Sequence, residues 1–185
     1  MPPFREGPLA PENLTHIAPQ MRLATTVDQN GARPLTPEEF AGYFLGPGPA
    51  GLPPLVEAFL LRARECMAYG AYHYPLVTIG LGQLGLTAEA ALRAHADTCG
   101  VPTRTPKGHA RNMATLIKDL HDAGHLTGHQ AHYWQQVAKL RNYLFHPDEC
   151  PVLPLGGILP HLTLLTEALL ELFPEAHFQD LPGGT

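Results

Sequence analysis

The chain has 185 residues, 44% of them hydrophobic and 16% charged, which argues against a disordered polymer and suits one folded domain with a sizeable core. A formal net charge of −5 excludes a global basic field, so any role with RNA requires a local cationic site. Eleven histidines stand against twelve lysines and arginines, which makes local charge sensitive to pH.

In chain order, residues 1–50 read as a proline-rich arm with one short helix. "DQNGAR" holds the turn signal Asn30-Gly31, which predicts a small hairpin. "LTPEEF" predicts a helix start, with Thr36 as N-cap, Pro37 at the first position and Glu39 closing a capping box. Leu35 and Phe40 sit as a hydrophobic staple across that start. The short helix is expected to stop by Gly46, and "GPGPAGLPP" to act as a hinge.

Residues 51–175 read as a helical bundle, and 176–185 as a tail. From Leu52 the apolar residues Leu55, Val56, Phe59, Ala63, Cys66 and Met67 recur at helical steps until Tyr74-Pro75 interrupts them. A second long segment runs from Pro75 to about Thr98. A third, about Ala110 to Ala123, puts Met113, Leu116, Ile117 and Leu120 on one stripe and ends at Gly124. A fourth opens with Thr127 as N-cap and Gln130 as its box partner, and is expected to reach Pro147. A fifth spans about Gly157 to Phe173. The expected fold is an all-α bundle of four to five helices behind an irregular N-terminal arm.

"IGLGQLGLTAEAAL" matches G-x-G-x-x-G at Gly80, Gly82 and Gly85. A dinucleotide turn requires a strand before it, a second parallel strand after its helix, and an acid on the ribose about twenty residues further on. The chain instead offers "TCGVPTRTPKG", with two prolines and no carboxylate. The expectation is therefore a helix in which Gly82 and Gly85, with Leu86 and Glu89, make a face for close approach of another helix. His121, His125, His129 and His132 would share a face on one continuous helix, but Gly124 and the Thr127 cap divide them, so no metal site is expected. Cys66, Cys99 and Cys150 are scattered and odd in number, as for free thiols in a reducing compartment. The N-terminus lacks the apolar core of a signal peptide, and "VLPLGGILPHLTLLTEALLELF" is broken by Pro154, Pro160 and His161. The expectation is a cytoplasmic protein without a membrane span.

"VAKLRNYLFHPDEC" places Arg141, Asn142 and His146 at a helix end. In a bundle of this kind, and after the amphipathic "LIKDLHDAGHL", the segment resembles the HEPN superfamily of helical nucleotide-binding domains. That family carries Arg, four to six residues, then His, and the likeness covers about residues 52–173. "ARECMAYGAYHYPLVTIGLGQLGLTAEAAL" is similar to the paired helices of a bacterial branch of the superfamily. The spacing also occurs at Arg104 and His109, in the proline-bearing loop "RTPKGH", which is set aside.

On a continuous helix Arg141 and His146 would stand about 140° apart. Pro147 disfavours helical geometry at His146, so the imidazole is expected to swing off the helix terminus. Arg141 runs beside the apolar stripe of Tyr133, Val137, Leu140 and Leu144, toward a groove. The resemblance implies a homodimer joining two such motifs and a metal-independent endoribonuclease, or an RNA- or nucleotide-binding protein. A role in bacterial defence or beside a protein antitoxin goes with it. It implies Arg141, His146 and Asn142 as catalytic residues, with no cofactor. Glu89 is placed as a supporting carboxylate, although "QLGLTAE" lacks the neighbouring arginine of that branch. The alternative is a non-catalytic helical module that binds a nucleotide or a protein.

Overall fold

The computed structural model describes residues 13–145 and 155–179. The architecture is an all-α bundle with two small two-stranded sheets at its margin. The helices are α1 (Pro37–Leu45), α2 (Pro54–Ala68), α3 (Pro75–Thr98), α4 (Met113–Asp122), α5 (Gly128–Leu144) and α6 (Leu155–Leu172). The longest, α3, is the axis of the bundle and packs against α2, α4, α5 and α6. By length and hydropathy α3 would suit a membrane span, yet 56% of its most apolar window is buried inside the protein. Val77, Leu81, Leu84, Ala88, Ala91 and Leu92 supply much of that buried surface.

The helix starts follow local chemistry. Thr36 Oγ1 accepts from Glu39 N, and Glu39 Oε2 accepts from Thr36 N at 2.9 Å, so both halves of the first capping box are made. Thr127 and Gln130 repeat the device at α5. Asn112 Oδ1 caps α4 by accepting from Thr115 N. Gly124, with φ +80°, ends the α4 segment in the left-handed region, where a side chain would be strained.

The expected hairpin forms as β1 (Thr25–Asp28) paired antiparallel with β2 (Gly31–Pro34), turning through Gly31 at φ +106°. Its neighbours depart from the extended arm expected there. Ile17, Ala18 and Met21 are fully buried, and Ala18 N donates to Ala71 O at 2.8 Å. The proline-rich segment thus lends three apolar side chains to the common core. The expected hinge contains β3 (Gly48–Ala50), which pairs antiparallel with β4 (His177–Gln179) from beyond α6. Arg64 anchors this corner from α2: its Nε donates to Phe44 O at 2.5 Å, and its Nη2 donates to Gly46 O and to Pro47 O.

Two stripes also shift. On α2 the buried line is Val56, Leu60, Ala63 and Met67, while Leu55 stays 61% exposed. Leu55 and Val56 are adjacent, so only one of them can follow the face that α3 covers. On α5 the fully covered residues are Ala131, Trp134 and Ala138. Tyr133, Val137, Leu140 and Leu144 pack only partly against the core, because one side of that stripe walls an open groove.

Candidate functional site at the end of α5

The glycines of "IGLGQLG" lie inside α3, after no strand, and do what a helix crossing needs. A Cβ on Gly80 would come 2.8 Å from Ala63 O on α2, and one on Gly85 would come 2.6 Å from Arg141 Cγ and 2.8 Å from Arg141 Cβ on α5. At Gly82 the neighbour is the Phe145 ring, 3.0 Å from the position a Cβ would take. The close approach expected of Gly82 and Gly85 is to α5 at Gly85 and to the Phe145 ring at Gly82, while Gly80, not expected in that role, lets α2 approach from another side. The dinucleotide reading finds no strand to stand on.

That close approach seats Arg141. Its aliphatic stem lies on Gly85, and its guanidinium reaches along α3 to Glu89, where Nη2 donates to Oε2 at 3.1 Å. Nη1 donates to Asn142 Oδ1 at 3.2 Å, so Asn142 steadies the arginine beside it. The guanidinium carbon stands 5.9 Å from the centre of the Phe145 ring, within cation–π range. Arg141 Nε is buried and has no hydrogen-bond partner among the described residues. A buried N–H without a partner is costly.

Glu89 is shared. Its Oε1 accepts from Arg93 Nη2 at 2.6 Å, one helical turn along α3. Arg93 is itself held by the loop before α4, donating to Arg111 O at 2.7 Å. Glu89 is therefore paired with two arginines, one four residues later on the same helix and one from α5. Two cations on one carboxylate leave a net positive cluster in a negatively charged protein. Sequence spacing could have found Arg93 through the i,i+4 rule; the α5 partner needed the fold.

Beside this cluster lies a groove of about 240 Å³ between α3, α5 and α6. Leu84, Leu140, Leu144 and Leu165 form much of its wall, and Arg141, Gln136 and His161 bring polar groups to it. Burial alone lowers the pKa of His161 below the usual histidine value, which favours the neutral ring at pH 7. In the sequence His161 marks only a break in an apolar run; it lines the same groove as Arg141 because α6 packs on α3.

The helix ends two residues before His146, at Leu144, rather than running to Pro147. Phe145 N donates to Arg141 O at 3.3 Å and closes the last turn. His146 and Pro147 lie outside the described residues, as does Cys150. The discarded pair Arg104 and His109 sits in a tight loop where Thr105 N donates to His109 O and Gly108 has φ +81°.

The histidine run is divided as expected: His121 is on α4, His129 and His132 are on α5, and the turn at Gly124 separates them. The His121 ring donates from Nδ1 to Leu126 O at 2.9 Å, a turn-closing contact. Among the described residues no group of three His, Cys, Asp or Glu side chains could hold a metal ion. No family model matches the chain, and neither a curated protein nor a solved structure is significantly similar to it.

Proposed function

We propose that this chain is a HEPN-like RNA- or nucleotide-binding protein whose phosphate-binding group is Arg141, and that its reaction is metal-independent RNA cleavage with His146. The observation that carries this reading is the seating of Arg141: its stem is packed on Gly85, two nitrogens are held by Glu89 and Asn142, and Nε has no partner among the described residues. An arginine fixed this way loses little side-chain entropy on binding, and its fork suits phosphoryl oxygens.

In the reaction the 2′-hydroxyl of RNA attacks the adjacent phosphorus while an imidazole takes its proton. The bond to the 5′-oxygen then breaks, and that oxygen receives a proton, leaving a 2′,3′-cyclic phosphate. Histidine suits this work because its ordinary pKa lies near neutrality. Arg141 stabilises the charge that builds on the phosphoryl oxygens. A homodimer that sets two α5 ends side by side would complete the site with a second arginine and histidine. DNA lacks the attacking hydroxyl and should survive.

The test compares wild type, His146→Ala and Arg141→Ala on labelled RNA in EDTA. Cyclic-phosphate products from wild type alone support the cleavage reading, and equal products from wild type and His146→Ala remove it. A second reading, a non-catalytic module that binds a nucleotide or a protein such as an antitoxin, is favoured by one observation. Glu89 already neutralises part of the Arg141 charge, and the groove beside it is walled mainly by leucines. RNA bound intact, with binding lost in Arg141→Ala, would select that module.

A further inference from the structure

We infer that the groove between α3, α5 and α6 is a pocket for one unpaired nucleobase, whose own phosphate sits on Arg141. This rests on the reading of Arg141 as the phosphate-binding group and adds the part of the ligand that gives selectivity. The volume is the first argument. At about 240 Å³ the groove falls below the range of sites for drug-sized ligands and suits one ring system with little else.

The lining is the second argument. Leu84, Leu140 and Leu165 offer apolar cover for the faces of a ring, and Tyr133 stands at the same groove. An aliphatic chain would be served by leucines alone. A base also needs hydrogen bonds at its edge, or its desolvated polar atoms oppose entry. Gln136 and His161, which line the groove from two different helices, carry groups of that kind, and the Gln136 amide nitrogen stands 3.5 Å from His132 Nε2. A glutamine amide carries both donors and an acceptor, and a neutral imidazole carries one of each. Burial favours the neutral ring of His161, so it adds no charge to the pocket.

Charge placement is the third argument. Among the described residues the one cation lining this groove is Arg141, so an anion is favoured at the α5 end. A nucleotide has that polarity, with an uncharged ring at one end and a phosphate at the other. Duplex RNA hides its bases, so the pocket selects single-stranded or looped RNA, or a free mononucleotide.

The experiment is a calorimetric titration of the full chain with AMP, ribose 5-phosphate, octanoate and a short single-stranded RNA. It is run on wild type, Arg141→Ala and Leu164→Trp. Leu164 lines the groove but is 48% exposed, so a tryptophan there fills the pocket with little disturbance of the core. Circular dichroism checks each fold, and Gln136→Leu serves as a second variant that leaves the leucine wall intact.

The expected result is that wild type binds AMP about tenfold more tightly than ribose 5-phosphate. Leu164→Trp and Gln136→Leu should lose that preference while still binding ribose 5-phosphate, and Arg141→Ala should bind neither. Equal affinity for AMP and ribose 5-phosphate in wild type overturns the base pocket while leaving phosphate binding in place. Octanoate binding as tightly as AMP overturns it in favour of an aliphatic acid. Failure of AMP, ribose 5-phosphate and RNA alike removes the phosphate-binding reading itself, and the base pocket with it.

Discussion

Arg141 Nη2 on α5 donates to Glu89 Oε2 on α3 at 3.1 Å, joining residues 52 positions apart, while Arg93 holds the other oxygen of the same carboxylate. The pair is partly open, with side-chain exposures of 33% and 23%, so solvent screens much of its attraction. Its main effect is to fix the direction of the guanidinium at the groove. Glu89→Gln should therefore lower stability by only about 1 kcal/mol, read from urea denaturation. It should weaken RNA or nucleotide binding by more than that loss accounts for. Unchanged binding would mean that Arg141 reaches its position without the carboxylate.

The three glycines of α3 differ in what faces them, and alanine substitution should rank accordingly. Each exchange gains about 1 kcal/mol of helix propensity. At Gly85 the new methyl would meet the root of Arg141, and at Gly80 a carbonyl oxygen of α2, neither of which can yield without moving a helix. Gly80→Ala and Gly85→Ala should each destabilise by about 1–3 kcal/mol. At Gly82 the neighbour is the tip of the half-exposed Phe145 ring, which can turn aside. Gly82→Ala should be nearly neutral in thermal unfolding.

Arg64 is 7% exposed, and its hydrogen bonds go to the carbonyls of Phe44, Gly46 and Pro47. Burial lowers its pKa from the usual arginine value. The end of α1, where carbonyls point outward, compensates the charge. Arg64→Leu would leave the buried Phe44 carbonyl unpaired and should cost about 1–3 kcal/mol. Hydrogen exchange should rise first at the β3–β4 pair, and a variant as stable as wild type would refute this anchoring role.

Acid should loosen the fold through two histidines. Burial is the leading cause that holds both His95 and His161 below the usual pKa of 6.5, so the folded state binds protons less readily than the unfolded chain. Stability is then whole above pH 6.5 and falls as pH drops from there toward the lowered folded values. His161→Gln and His95→Gln should each flatten part of that fall in chemical denaturation between pH 7 and 5. An unchanged slope in both would show that other groups set the acid limb.

Local chemistry wrote much of this protein into its sequence. The capping boxes of Thr36 with Glu39 and Thr127 with Gln130 are complete within four residues, and so is the turn at Asn30-Gly31. Such features form from neighbouring atoms and need no distant partner to be recognised. The left-handed glycine at 124 sets a helix limit for the same reason.

Tertiary structure decided what no neighbouring residue could. Whether Leu55 or Val56 faced inward depended on where α3 lay, and the proline-rich start proved to feed Ile17, Ala18 and Met21 into the core. The strand pairing of residues 48–50 with 177–179 joins segments more than a hundred residues apart. The same holds for the candidate site: Arg141 and His161 line one groove from two helices, and the close packing at Gly85 on a third lets Arg141 reach Glu89. Short-range geometry determines where helices begin and end, whereas the meeting of their side chains depends on which surfaces exclude water together.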